Sequence, residues 1–326
     1  RHTDIEFIEN HTTHNIPLRL VGNALKKRKQ NIQKSAVRKL KAYIKKEGKP
    51  DAIFHHGIFD FCYLSKHLSE IFDLPIWYME NSPNLTPERF PCANPFDTME
   101  DQKAFVANAD RRIAVTDAYV EKMTELFGLP FEKCPNVITD EFFVQPDSVS
   151  RPTDYFQFVN VAILDRRKNQ SLILKAFAEN YRDNLFYRLK IAGDGPLYDP
   201  LNKLARDLKI EKQVEILGFQ NRDEILQLLD QSHCFVLSSH SETFGVVVIE
   251  AMARGIPAIS SDIDGTNEIL TPENGILFEP DNLSGLAKAM VDLVENYNSL
   301  KPETIVKSVQ QRFGPDAVKK ALFENG

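Results

Sequence analysis

Along the chain, short apolar runs alternate with longer stretches in which apolar residues recur every three or four positions. The first pattern reads as buried strand and the second as helix. In the first half the order is a short strand at "IEFIE", a helix over 35–47, and a strand at "DAIFHHG" (51–57). A helix follows over 58–72, then a strand at "PIWYMEN" (75–81). A Pro- and Asn-rich loop, "NSPNLTPERFPCANPFD", comes next. It leads to a helix near 99–108, a strand at "RRIAV" and a helix at 116–127. The second half repeats the alternation. Strands fall at "FQFVNVAIL", "FYRLKIAG", "VEILGF" and "HCFVLSS", with helices over 169–179, 197–208, 222–231 and 246–253. Short strands at "IPAISS" and "GILFEP" and helices over 284–296 and 315–323 complete the pattern.

Strictly alternating strands and helices imply parallel sheets covered on both faces. Between the two halves lies "QPDSVSRPTD" (145–154), rich in Pro, Ser and Asp. That shift sets the expected boundary, with an N-terminal domain over 1–147 and a C-terminal domain over 148–326. The expected fold class is α/β, two tandem doubly wound (Rossmann-like) domains facing a cleft. Ligands of such sheets bind at the carboxyl ends of the strands.

Composition narrows the class. The 326 residues are 42% hydrophobic and 26% charged, as in a soluble globular protein. No apolar run approaches the length of a membrane span, and no signal-peptide pattern opens the sequence. The four cysteines have no C-x-x-C spacing and read as reduced packing residues. A cytoplasmic location is therefore expected. The net charge of −6 hides an asymmetry: residues 26–46, "KKRKQNIQKSAVRKLKAYIKK", hold ten Lys or Arg and no acid. Two readings stand side by side. One is a solvated helix with a core-facing stripe at Val37, Leu40, Tyr43 and Ile44. The other is a patch for an anionic membrane surface on its inner face, or for a phosphate-bearing acceptor. Nucleic acid is not expected, because the remaining residues are strongly acidic and only Tyr43 interleaves the cations.

The densest chemistry lies at 239–260, "SHSETFGVVVIEAMARGIPAIS". Glu242 falls in a loop after a strand. Glu250 falls about one turn inside a helix that is apolar on most sides. A buried carboxylate is costly unless hydrogen-bonded or paired. Either Glu250 has a protein partner such as a buried Arg, or it holds a ligand. The helix N-terminus suits a phosphate, and Gly245 lets a ligand approach the backbone. A carboxylate one turn in can accept two hydrogen bonds from a vicinal diol such as a ribose. A carboxylate before the helix can reach a second polyhydroxyl group. Diol, phosphates and sugar in that order describe a nucleotide sugar.

The block "ETFGVVVIEAMARGIPAIS" resembles the E-x7-E segment of the family-four retaining glycosyltransferases, which have the GT-B fold. Further segments match in order: "LDRRKNQSLILKAF" (164–177), "LKIAGDGP" (189–196), "VEILGF", "DGTNEI" (264–269) and "NGILFEPDN" (274–282). "PDAIFHHG" and "PNVITDEFF" match more weakly. The resemblance implies that Glu250 binds the donor ribose. It implies that Glu242 contacts the donor sugar and stabilises an oxocarbenium-like transition state. Phe244 and Gly245 would offer backbone N–H groups, and Lys168 would neutralise the diphosphate. Gly193, Phe219 and Val246 lie in segments that line the donor. The last helix, about 315–325, would pack back on the N-terminal domain.

The sequence departs from the family pattern in three places. Ile163 stands where an Arg is usual, with Arg166 or Arg167 as substitutes. Asn81 stands where a His is usual. It can hydrogen-bond a sugar hydroxyl but cannot take a proton. His56 is the other candidate for contact with the sugar. The family's opening strand and Gly-rich loop have no counterpart, so an opening segment is expected to be missing from this numbering. The pair Asp262 and Asp264 is too weak a motif to assign a metal, "AGDGP" is not a dinucleotide fingerprint, and "HTTH" (11–14) reads as a loop. The expected activity is metal-independent, retaining sugar transfer from a nucleoside diphosphate, with no cofactor. The acceptor would be a glycan or lipid-linked species of cell-surface polysaccharide synthesis. A catalytically silent GT-B binding protein, and a nucleotide-sugar epimerase or hydrolase, are the alternatives.

Overall fold

The computed structural model describes residues 23–58, 62–82, 85, 98–143, 149 and 151–324, with side chains from residue 27 onward. The strand expected at "IEFIE", the "HTTH" loop and most of the Pro- and Asn-rich loop lie outside the described residues. The chain divides into two compact units. One takes in the described residues up to Glu80 and those before Ile113. The other holds Asn81, Ser82 and everything from Ile113 onward.

In the first unit, α1 (Asn23–Glu47) is longer than the sequence pattern suggested. It is followed by β1 (Ile53–His56), α2 (Cys62–Phe72), β2 (Ile76–Glu80) and α3 (Met99–Ala107). β1 and β2 are parallel, with Ile53 opposite Ile76. β2 is almost wholly buried and ends in a carboxylate, Glu80, that is itself fully buried. That burial is tolerable because Glu80 Oε2 accepts from Tyr78 Oη at 2.5 Å and from the Ile58 backbone N–H at 3.1 Å. His55, opposite Tyr78 in the sheet, is buried as well, with Nδ1 2.9 Å from Ser65 Oγ. Desolvation lowers its pKa to about 4, so it is neutral and structural. α3 starts at a capping box made by Thr98 and Asp101.

β3 (Arg111–Ala114), α4 (Asp117–Phe127) and the two-residue β4 (Glu132–Lys133) follow. The first four strands run in the order β1-β2-β3-β4. β4 was not legible in the sequence, where only the following "CPNVI" suggested extended chain.

The second unit is built on a six-stranded parallel sheet ordered β10-β9-β8-β5-β6-β7. The strands are β5 (Phe156–Val161), β6 (Tyr187–Ala192), β7 (Val214–Gly218), β8 (Cys234–Leu237), β9 (Ala258–Ser261) and β10 (Gly275–Phe278). The helices are α5 (Gln170–Tyr181), α6 (Tyr198–Asp207), α7 (Arg222–Asp230), α8 (Val246–Ala253), α9 (Leu283–Asn296), α10 (Pro302–Phe313) and α11 (Pro315–Phe323). β5 is central and every residue in it is buried. Its two polar residues are tied to β8 or its approach: Gln157 Nε2 donates to Ser232 Oγ at 3.0 Å and Asn160 Nδ2 to the Val236 carbonyl at 2.8 Å. Phe158, Leu174, Phe177, Ile191, Met290 and Leu293 belong to one core, over which α5 and α9 pack. α10 is a helix that the sequence pattern had not marked. Pro302 occupies its first turn, and Ile305, Val306, Val309 and Phe313 form the buried stripe against α8.

The strand order fixes where a ligand can sit. From β5 the chain steps one way to β6 and β7, then returns past β5 to β8, β9 and β10. The direction therefore reverses between β5 and β8, and the loops after these two strands diverge to leave a crevice at their carboxyl ends.

Candidate functional site

The loop after β5 carries Arg166, Arg167 and Lys168, and the loop after β8 carries Glu242. The Ser238 hydroxyl joins these loops through one shared proton, with Oγ 3.1 Å from the Lys168 carbonyl and 2.9 Å from the Asn169 carbonyl. The His240 N–H donates to the Arg167 carbonyl at 2.8 Å. Asp281 reinforces the join from the loop after β10: it lies 3.2 Å from His240 Nδ1 and accepts from Asn169 Nδ2 at 3.0 Å.

Three groups converge on the Glu242 carboxylate. Lys168 Nζ pairs with Oε1, Ser239 Oγ donates to Oε1 at 2.8 Å, and Arg167 Nη1 lies 3.6 Å from Oε2. Lys168 and Glu242 side chains are each only 10% exposed, so water screens their attraction weakly. Arg167 Nη1 also donates to the Ser241 carbonyl at 3.2 Å. Arg166 is exposed and takes no part. Two cations thus face the single Glu242 carboxylate, while Asp165 accepts from the Lys168 N–H at 3.0 Å on the flank of the same loop.

α8 begins beside this corner. Gly245, at φ 84°, turns the chain into the helix and provides no side-chain cap for its first N–H groups. Phe244 is buried and stands edge-on to Phe313 at 5.3 Å. Its ring anchors α10, so only its backbone can serve the site. Val246 is 37% exposed on the first turn. Glu250 lies one turn on, and helical side chains lean toward the N-terminus, over that turn. It is half-buried and makes no hydrogen bond or ion pair among the described residues. Burial raises its pKa to about 7, an effect the charge of Arg222 partly offsets. The partner that the sequence left open is thus not an Arg salt bridge; Arg222 is engaged with Glu141 and Thr139.

Gly193 follows β6, with its N–H donating to the Gly218 carbonyl at 2.8 Å. Its backbone runs so close to Ala162 that a Cβ would come within 1.8 Å of that carbonyl oxygen, so only glycine fits. Phe219 and Ile163, after β7 and β5, are 76% and 59% exposed. Asn81 belongs to the second unit, where its carbonyl accepts from Thr243 Oγ1 at 2.8 Å, next to Glu242. His56 ends β1 in the first unit and is exposed.

Three contributors escaped the sequence reading. Ser239 holds Glu242, Thr243 holds Asn81, and Gly265 lets the 262–266 turn lie against the Glu242–Phe244 backbone. A Cβ on Gly265 would come within 2.7 Å of the Glu242 carbonyl oxygen. The serine run "SSHSE" was the one visible signal. Asp262 and Asp264 sit in that same turn. Among the described residues, no group of three or more His, Cys, Asp or Glu gathers as metal ligands would. A surface groove of about 540 Å³ beside β10, floored by Leu270, Ile276, Leu293 and Leu300, involves none of the residues of the charged corner.

The family model for glycosyl transferases group 1 matches residues 142–311, and the chain belongs to that family. The chain is 26% identical over 218 residues to a phosphatidylinositol N-acetylglucosaminyltransferase subunit of Arabidopsis thaliana. That match covers 66% of this chain and 48% of the plant protein. The chain thus spans about half the length of such curated relatives, and 39% of the corresponding gpi3 subunit of Schizosaccharomyces pombe. Among solved structures it is similar to Anabaena HepE in complex with UDP, at a TM-score of 0.73 and 19% identity, over 93% of this chain and 81% of that one. It is also similar to the apo form of the lipopolysaccharide outer core galactosyltransferase WaaB, at a TM-score of 0.65 and 18% identity over the same shares. These likenesses establish the GT-B fold, two parallel-sheet Rossmann-like domains, as the resemblance at 242–260 implied.

Proposed function

We propose that this chain is a metal-independent, retaining glycosyltransferase that moves a sugar from a nucleoside diphosphate to a glycan or lipid-linked acceptor of cell-surface polysaccharide synthesis. The observation that carries the reading is the pairing of two cations gathered at Glu242 with a carboxylate, Glu250, that has no partner among the described residues and lies one turn inside the next helix. Phosphates fit the corner and the open N–H groups of α8. The diol of a ribose fits Glu250, which gains the hydrogen bonds it lacks. Lys168 and Arg167 then balance the charge of the departing diphosphate, the work a metal does in other sites. Glu242 stabilises the positive charge that develops on the sugar ring. The anomeric carbon–oxygen bond breaks, the acceptor oxygen bonds on the same face, and its proton goes to the departing phosphate. No protein nucleophile is needed, so an amide at Asn81 is compatible with turnover. UDP bound to a protein of the same fold supports the donor class.

The test is titration calorimetry with a panel of nucleoside diphosphates and their sugars, followed by release of the free diphosphate with and without acceptor. Saturable binding that is lost in Glu250→Ala, and acceptor-dependent release without added metal, are expected. Absence of binding to every donor would overturn the reading. Binding without turnover would establish instead a silent nucleotide-sugar-binding protein, a reading that Asn81 and Ile163 favour. Acceptor-independent release would mark a hydrolase.

A further inference from the structure

α1 packs on α2, and together they form a surface groove of about 390 Å³ lined by Lys34, Val37, Arg38, Lys41, His67 and Ile71. The spacing of the residues explains its character. Lys34, Arg38 and Lys41 fall at i, i+4 and i+7, one face of α1, with Val37 between them. His67 and Ile71 fall at i and i+4 on α2. All three of these groove cations are exposed, and none of the three has an ion pair among the described residues. The floor is apolar, with Ile71 46% exposed. A cationic rim over an exposed apolar floor is neither a solvated charge face nor a core-facing stripe. The core-facing side of α1 lies elsewhere, at buried Ala36.

We propose that this groove binds an anionic phospholipid in a bilayer surface, the phosphate on the Lys34–Arg38–Lys41 rim and the upper acyl chain against Val37 and Ile71. A soluble polyanion or an acidic peptide satisfies the rim but leaves the floor wet. A phospholipid satisfies both. The charge distribution points the same way. Outside residues 26–46 the chain carries 46 acidic and thirty basic residues, so an anionic surface attracts this face and repels the rest. Among the described residues no helix is long and apolar enough to cross a membrane, so attachment through this groove would be peripheral. The inference does not depend on the donor chemistry, and its test contains no enzymatic readout.

The experiment is co-sedimentation of the full chain with vesicles of phosphatidylglycerol and phosphatidylcholine, against phosphatidylcholine alone, at low and high salt. Binding to the anionic vesicles alone, weakened by salt, is expected. The triple variant Lys34→Glu, Arg38→Glu, Lys41→Glu lowers partitioning on the order of a hundredfold. Ile71→Ser lowers it about fivefold. A control triple outside the groove, Lys39→Glu, Lys45→Glu, Lys46→Glu, lowers it less than about tenfold. Circular dichroism verifies that each variant keeps its fold. No binding at low salt overturns the proposal. Equal loss in both triples with Ile71→Ser silent also overturns it, in favour of diffuse charge. An acidic peptide that binds as tightly as the vesicles, and still binds Ile71→Ser, would replace the lipid with a protein partner.

Discussion

Glu242 and Glu250 flank the same apolar run, yet their surroundings are opposite. Lys168, Arg167 and Ser239 all reach the oxygens of Glu242. The carboxylate of Glu250 is half-buried with no partner among the described residues, and burial raises its pKa to about 7. The first carboxylate is part of what holds the loops after β5 and β8 together. The second is a cost that the fold carries. A residue that destabilises its own fold while facing the N-terminus of a helix is a marker of binding, whereas a paired residue can be structural, functional or both. The difference gives the two carboxylates opposite expected responses to mutation.

The largest effect is expected from Glu242→Ala. It leaves Lys168 nearly buried beside Arg167 with no countercharge, and the loss should be about 3 kcal/mol of stability together with turnover. Urea unfolding of the variant checks the first part. A midpoint equal to wild type would show that the corner is not a closed ion-pair cluster, and the contrast with Glu250 would fail.

Glu250→Gln should act in the other direction. In the unfolded chain this carboxyl titrates near 4.5, and in the folded protein near 7. Below pH 4.5 both states hold the proton and the residue is neutral in its effect. As pH rises toward 7 the unfolded state ionises first, so wild-type stability falls, and above 7 the deficit is constant. The variant lacks this deficit. Allowing for the partial exposure of the side chain, it should be more stable by about 1–2 kcal/mol at pH 8 and equal to wild type at pH 4. Its nucleotide affinity should nevertheless fall about tenfold or more. In the wild type that affinity should rise as pH passes through 7, because the ionised carboxylate is the better acceptor for a diol. Stability and affinity that fall together would remove the ligand role.

Much of this architecture was legible because a parallel sheet buries its strands on both faces. "FQFVNV" and "CFVLSS" stand out as unbroken runs, and α8 was placed at 246–253 as found. What escaped was local. α10 has its apolar residues at helical spacing, but a Pro at its start and a Lys- and Gln-rich face hid the stripe. β4 has only two residues. At the site, the E-x7-E spacing located both carboxylates but could not reveal which was paired. That depends chiefly on Lys168 and Arg167, which meet Glu242 only once β5 and β8 are neighbours. The roles of Thr243 and Gly265 are set by backbone approaches between segments distant in the chain, which spacing cannot encode.

The same contact geometry separates two arginines that the sequence left equivalent. Arg167 faces Glu242 and the Ser241 carbonyl, while Arg166 is exposed. Arg167→Met should weaken diphosphate affinity about tenfold, the loss of one charge-assisted hydrogen bond. Arg166→Met should change it less than about twofold. Calorimetry with a nucleoside diphosphate makes the comparison. Equal effects would mean that the two cations act only through the general field of the loop, as Ile163 in place of an Arg would then require.

The smallest effect is expected at Thr243, the neighbour of Glu242. Its hydroxyl donates to the Asn81 carbonyl, while its own carbonyl lies 3.4 Å from Thr116 Oγ1. Thr243→Val keeps the shape and the second contact and deletes the first, at about 0.5–1 kcal/mol of stability. Glu242 and its cations are untouched, so donor affinity should be unchanged. If Asn81 helps to place the sugar over Glu242, kcat should fall a few-fold with KM for the donor constant, because the defect is in orientation and not in binding. A rise in KM alone would place Thr243 among the groups that bind the donor. No change in either would limit the hydrogen bond to anchoring the chain after β2, and the influence of the carboxylate pair would end at Glu242.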